Sequence, residues 1–250
     1  MTPLLRLESI SKSFGGIHAL QNISFGIEAG KVTALIGPNG SGKSTLFNIL
    51  SHLLALDGGK IFFKETEVSS LPTHRLAEKG ISRTFQDLRV FPNLSVRDHL
   101  EMALGNADGN LFKSFFSARR EKDGEVRRFL DLVGLEADPE QTGANLSYGQ
   151  TKLLGIAMAV ARPHSLILFD EPVAGVNPLL RKKICDVIVK LREAGDTLLL
   201  IEHDMNFVMD LSDRIIVLDA GLVIADGDPS SISQNPKVLE AYLGERRAGT

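Results

Sequence analysis

Gly37-Pro38-Asn39-Gly40-Ser41-Gly42-Lys43-Ser44 decides the fold of this 250-residue chain. The octapeptide fits G-x-x-x-x-G-K-[ST] at every fixed position. Its glycines open backbone conformations barred to other residues, so that N–H groups close on phosphate oxygens. A helix starting near Lys43 points the positive end of its dipole at the same anion. Lys43 brings a point charge to the β- and γ-phosphates of a nucleotide, and the Ser44 hydroxyl is a ligand for Mg²⁺. The motif needs a buried strand before it and a helix after it. The apolar run 32–36 supplies the strand, and 44–54 reads as the helix.

Working outward, Ile23, Phe25 and Ile27 alternate with polar or small residues, so the first third reads as short strands. Gly58-Gly59 breaks the chain before a strand at 60–63. From about 87 to 162 the pattern is helical, with one irregular stretch around 105–124. That stretch sets Phe112, Phe115 and Phe116 beside Lys113, Arg119, Arg120 and Lys122. It reads as a surface loop with a short helix, or as an amphipathic patch for a membrane surface or partner. Strand–helix alternation then returns, with strands at 166–169, 197–201, 214–218 and 222–225 and helices at 178–193 and 205–211. Near-continuous apolar strands separated by helices predict a parallel sheet in an α/β fold. The expected organisation is a core of 1–86 and 163–250, with 87–162 inserted as a helical subdomain.

Two carboxylates follow the run Leu166-Ile167-Leu168-Phe169. A buried strand delivers Asp170 at its C-terminal edge, where α/β sheets bind ligands. Asp170 is expected to hold Mg²⁺ through water, and Glu171 to polarise an attacking water. The strand 197–201 ends in Glu202-His203-Asp204, which brings His203 to the same edge as a candidate phosphate contact. The other histidines (His18, His52, His74, His99 and His164) have no such placement and read as structural or exposed.

Composition narrows the partners. Lys plus Arg number 28 against 31 Asp plus Glu, a net charge of −3, which argues against nucleic acid as the ligand. No apolar stretch approaches the roughly 20 residues of a membrane span. Residues 1–10 carry Arg6 and Glu8 and no apolar run, which points away from a secretory signal and toward the cytoplasm. The single cysteine, Cys185, excludes an internal disulfide or a cysteine metal cluster and is expected as a buried small hydrophobe.

Leu146-Ser147-Tyr148-Gly149-Gln150 resembles the L-S-G-G-Q signature of ATP-binding cassette (ABC) ATPases, and precedes the Asp170 strand as it does there. Gln86 resembles the Q-loop glutamine of that family. Phe14 resembles the aromatic that stacks on adenine, and His203 the switch histidine. Ala174-Gly175-Val176-Asn177 occupies the D-loop place. Tyr148 and Asn177 depart from the family's usual glycine and aspartate. Arg83-Thr84-Phe85-Gln86, the 148–150 and 174–178 segments, Ile201 to Met205, and the tail from Asn235 to Gly244 are similar to the ATPases of branched-chain amino-acid uptake systems.

The resemblance implies a P-loop NTPase of ABC type, with a mixed sheet core and an inserted α-helical subdomain, that hydrolyses ATP with Mg²⁺. It implies that Phe14, Gly37, Pro38, Asn39, Gly40, Ser41, Gly42, Lys43, Ser44 and Thr45 bind ATP. Ser147, Gly149 and Gln150 would reach the ATP of a second subunit. Ser44, Gln86 and Asp170 would serve Mg²⁺, and Glu171, His203 and Gln86 catalysis. Implied partners are two membrane permeases, a second related ATPase subunit or a second copy of this chain, and, indirectly, an external substrate-binding protein. The ATPase would lie peripherally on the inner face of the cell membrane, with 87–99 forming the groove for a permease helix. The competing readings are the ATPase of another ABC transporter, such as a lipid or lipopolysaccharide extractor, a DNA-associated ABC ATPase, and a nucleotide kinase. The last two fit less well. Only about 100 residues, without sustained heptads, separate loop and signature, and a kinase needs no signature.

Overall fold

The structure is a computed structural model and describes residues 2–84, 90–104 and 119–248. Strands β1 (Leu5–Phe14), β2 (Ile17–Ile27), β4 (Gly58–Phe63) and β5 (Thr66–Glu67) form an antiparallel sheet in the order β2-β1-β4-β5. A second sheet runs β10-β9-β3-β8-β7-β6. Its strands are β3 (Val32–Ile36), β6 (Ile81–Arg83), β7 (Leu166–Asp170), β8 (Thr197–Ile201), β9 (Arg214–Asp219) and β10 (Leu222–Gly227). All its pairings are parallel except β9 with β10, a hairpin at one edge.

The apolar strands are buried on both faces, and their residues divide between two cores with period two. Ala34, Ile36, Ile167, Phe169, Leu198, Leu200, Ile215 and Val217 face the first core. Leu35, Leu166, Leu168, Leu199, Ile201, Ile216 and Leu218 face the second. The second core is closed by the antiparallel sheet and by α1 (Lys43–Leu50), through Leu7, Ile10, Ile27, Leu46 and Phe47. Helices close the first. They are α3 (Val96–Leu104), α4 (Arg119–Val133), α5 (Tyr148–Ala161), α6 (Pro178–Glu193) and α7 (Met205–Leu211). The helices of the 87–162 region thus bury their apolar faces in the same cluster as the sheet. The short α2 (Thr73–Glu78) precedes β6, and α8 (Pro229–Ser233) and α9 (Pro236–Ala248) finish the chain.

Several expectations change. The helix after the glycine-rich loop ends at Leu50 rather than 54, because His52 takes φ +55° just beyond the cap Ser51. The early strands are not short: β1 and β2 run 10 and 11 residues and make a sheet of their own. Helix α4 starts at Arg119, inside the stretch expected to be irregular, and 105–118 lie outside the described residues. Val96, placed by the resemblance in a docking groove, is 0 % exposed and packs with Leu100 in the first core. A charge there would act on stability rather than on docking. His99 is also buried; its Nδ1 meets the Ser95 carbonyl at 2.7 Å and its Nε2 accepts from the Phe91 N–H at 2.9 Å. Cys185 is half-buried against the first core rather than fully enclosed, and burial pushes its thiol pKa up.

Candidate active site

Because β3, β8 and β7 are adjacent and parallel, their C-terminal ends open on one edge. That edge receives the loop 37–43 from β3, Glu202-His203 from β8 and Asp170-Glu171 from β7. A crevice beyond the carboxyl ends of parallel strands is where such sheets place ligands.

The loop is held tight by contacts that exclude side chains. Gly37 sits at φ +150°, and a Cβ there would lie 2.0 Å from the Leu218 carbonyl oxygen. Gly42 is the N-cap of α1 at φ +104°, with the Ala19 carbonyl oxygen 2.6 Å from where its Cβ would stand. Among the described residues no side chain caps α1, so its first N–H groups face the crevice as an anion site. Lys43 is 5 % exposed, and its Nζ donates to the carbonyls of Gly37 (2.7 Å) and Pro38 (2.8 Å) and to Ser41 Oγ (3.3 Å). The cation is thereby fixed at the mouth of the loop. Ser44 is exposed at the first turn, followed by Thr45. Phe14 ends β1 in the hairpin whose second strand supplies Ala19, and it is 47 % exposed.

Glu171 occupies φ +45°, a left-handed conformation that costs a non-glycine residue roughly 1–2 kcal/mol. Its N–H donates to the Ile201 carbonyl at 3.1 Å, which ties it to the end of β8. From β8, His203 Nε2 approaches Glu171 Oε1 at 3.1 Å. The carboxylate and the imidazole therefore form one polar unit at the sheet edge. Glu202 lies beneath it, 2 % exposed, accepting from the N–H groups of Val173 (2.8 Å) and His203 (3.1 Å). Burial pushes the Glu202 carboxyl up from its ordinary pKa, and those backbone N–H groups pull it back.

Asp170 meets a partner that the sequence reading had not assigned. Arg83 at the end of β6 donates Nη2 to Asp170 Oδ2 at 2.6 Å, and both side chains are largely buried. The same guanidinium reaches Asn48 Oδ1 (2.9 Å) and Ser51 Oγ (2.5 Å) at the end of α1. Arg83 thus joins the Asp170 strand to the helix of the glycine-rich loop. Removing one partner of a buried pair strands the other charge, at about 3–5 kcal/mol. Arg83→Met is accordingly expected to lose about that much stability in equilibrium denaturation; a change below 1 kcal/mol would show that the pair holds nothing. Gln86 lies outside the described residues.

The 146–150 segment opens α5. Ser147 caps the helix through Gln150 N–H, and Gln150 Oε1 accepts from Ser147 N–H at 2.9 Å, a reciprocal capping box. Gly149 has a packing reason as well: a Cβ there would stand 3.1 Å from Leu180 Cδ2 of α6. Asn177, in place of an aspartate, caps α6 by accepting from Leu180 N–H at 2.9 Å, a task Asn and Asp perform equally.

The structure therefore gathers Lys43, Ser44, Asp170, Glu171 and His203 at or just beyond the ends of three neighbouring strands. It keeps Ser147, Gly149 and Gln150 on a helix of their own. Sequence reasoning missed the parts played by Arg83 and Glu202. Glu202 directly follows the fully buried run 197–201, which was its signal, whereas Arg83 ends a short, partly buried strand and carried none.

A glycine-rich cradle at the carboxyl edge of a parallel sheet, beside an acid-tipped strand, defines a P-loop nucleotide-binding protein. The ABC transporter family model matches residues 20–174, and a model of the branched-chain amino acid ATP-binding cassette transporters matches 223–248. The chain is 38 % identical to the high-affinity branched-chain amino acid transport ATP-binding protein LivG of Salmonella typhimurium, over 97 % of this chain and 98 % of that one. It is similar to the ADP conformation of an ATP-binding cassette of an ABC transporter, with TM-score 0.83 and 33 % identity, covering 98 % of this chain and 100 % of that one. It is also similar to a dimeric post-hydrolysis ATP-binding cassette bound to ADP and Pi, with TM-score 0.78 and 27 % identity over 90 % of this chain and 98 % of that one. The chain belongs to the ABC transporter family, in the branch of the branched-chain amino acid transport ATP-binding proteins, and is an ATPase.

Proposed function

We propose that this ATPase drives a membrane importer of branched-chain amino acids. The observation that carries the reading is the near-full-length match to a protein named for that transport. It works with two permeases and with a second ATPase subunit, a relative or another copy of itself, while an external binding protein brings the cargo. No helix among the described residues is long and apolar enough to cross a membrane. On this reading the ATPase attaches to the inner membrane face through the permeases.

Within the site, Gly37 to Thr45 bind the phosphates and Phe14 stacks on adenine. Glu171 polarises the attacking water, with His203 against the γ-phosphate and bonded to the Glu171 carboxylate. Ser44, Asp170 and Gln86 would hold Mg²⁺. This donor set is all oxygen. That suits a hard cation ligated partly by phosphate and water. When bound, Mg²⁺ neutralises charge building on the phosphates. Ser147, Gly149 and Gln150 close over the ATP held by the second subunit. A ligand shifts a conformational equilibrium only by its differential affinity, and driving 1:99 to 99:1 takes about 5.5 kcal/mol. Contacts made to the γ-phosphate in the closed dimer alone would supply that difference and disappear on hydrolysis.

The test is affinity capture of the tagged chain from gently solubilised membranes of its own host, followed by reconstitution. Two polytopic permeases and a second ATPase are expected, with ATP hydrolysis stimulated by a binding protein loaded with leucine, isoleucine or valine. Capture of a lipid-extraction complex, or of no membrane protein at all, would overturn the reading.

A further inference from the structure

Glu171 is gripped from α5 as well as from the ends of its own strand and of β8. Its carbonyl accepts from Ala174 N–H at 3.2 Å, closing the turn 171–174, and also from Lys152 Nζ at 3.1 Å. Lys152 lies on α5, one turn beyond Tyr148 on the same face of the helix. Tyr148 Oη donates to the Ala174 carbonyl at 3.2 Å, at the other end of that turn. The Lys152 ammonium stands 5.9 Å from the centre of the Tyr148 ring, within the range of cation–π attraction. Two side chains from the first turns of one helix thus hold both ends of the turn that carries the glutamate. The glutamate itself is at φ +45°, where the backbone does not settle unaided.

We propose that Lys152, braced by Tyr148, is a positioning residue for Glu171 that couples the tip of α5 to the water-polarising carboxylate. The proposal rests on the reading of Glu171 as the group that polarises water and of 147–150 as the face that meets the second subunit's ATP. Helix α5 then touches one nucleotide at its tip and sets the geometry of hydrolysis for the other. Closure on one site moves α5, and the Lys152 and Tyr148 hydrogen bonds carry that movement to the backbone of Glu171. The tyrosine that replaces the family's glycine thereby has a task a glycine could not perform: its hydroxyl reaches the turn.

The experiment uses the full chain with Lys152→Met, Lys152→Arg, Tyr148→Phe and Glu171→Gln. It measures thermal stability, equilibrium binding of trinitrophenyl-ATP, and ATPase rate against ATP concentration. Lys152→Met is expected to lower kcat about tenfold, with nucleotide affinity and melting temperature unchanged. The Hill coefficient for ATP should fall toward one. Tyr148→Phe should show the same signature more weakly, and Lys152→Arg should restore kcat, since a guanidinium can still donate to the carbonyl. Normal kcat and Hill coefficient in Lys152→Met, beside an inactive Glu171→Gln, would overturn the positioning role alone. A joint fall in stability, affinity and kcat that arginine does not rescue would reduce Lys152 to a structural contact. Full activity in Glu171→Gln would remove the underlying reading of Glu171 and the proposal with it.

Discussion

Glu171→Gln is expected to bind ATP at about the wild-type affinity and to lose roughly 10²–10⁴-fold in turnover, the usual range for removing a general base. The geometry says why the loss should fall on kcat. On the proposed reading Lys43 and the loop backbone would meet the phosphates from the β3–α1 side, whereas Glu171 reaches the edge from β7. An amide in its place keeps the side-chain volume, the N–H to Ile201 and the carbonyl held by Lys152. It retains an oxygen that can accept from His203 Nε2, now 3.1 Å from Oε1, but it lacks the basicity that orients and polarises water. The variant should therefore accumulate ATP-bound dimer, read by size-exclusion chromatography with Mg²⁺ and ATP. Single-turnover hydrolysis within threefold of wild type would take Glu171 out of its role.

What the sequence made legible, and what it did not, follows from the range of the forces involved. The loop 37–44 was readable because its chemistry is local: glycines, a lysine and a hydroxyl at fixed spacing before a helix. The strands at 166–170 and 197–201 were readable because burial on both faces leaves a continuous apolar run. That β8 stands between β3 and β7 could not be read from any one segment, since parallel pairing is set by packing between distant parts of the chain. The antiparallel sheet was blurred for a related reason. Register shifts in β1 against both neighbours break its alternation, so period two never runs long enough to stand out. At the site, Asp170, Glu171 and His203 announced themselves by type and by position at strand ends. Arg83 did not: an arginine ending a three-residue strand reads as an ordinary surface charge until the fold turns it toward Asp170, Asn48 and Ser51. Lys152 was hidden in the same way, because a lysine on a helix is by default a solvated one.

Lys43→Ala carries the second large effect, and it falls on binding rather than on the chemical step. A hydrogen bond to a charged group contributes about 1.5–3 kcal/mol, so losing the ammonium is expected to weaken ATP binding roughly ten- to hundredfold. Hydrolysis should be lost with it, because the γ-phosphate no longer has its cation. A second consequence separates Lys43 from an exposed lysine. It is 5 % exposed and satisfies the carbonyls of Gly37 and Pro38 in a loop packed too closely for side chains at Gly37 or Gly42. Truncation leaves those carbonyls without their donor, so the loop itself loosens. Lys43→Met separates the ammonium, which supplies both the charge and the donor, from the packing of the aliphatic stem, which methionine keeps. If the charge is what matters, methionine and alanine should weaken trinitrophenyl-ATP binding equally, with melting temperatures close to each other. If the stem's packing dominates, methionine should bind nearly as the wild type does, and Lys43 would then be a strut of the loop rather than the cation of the site.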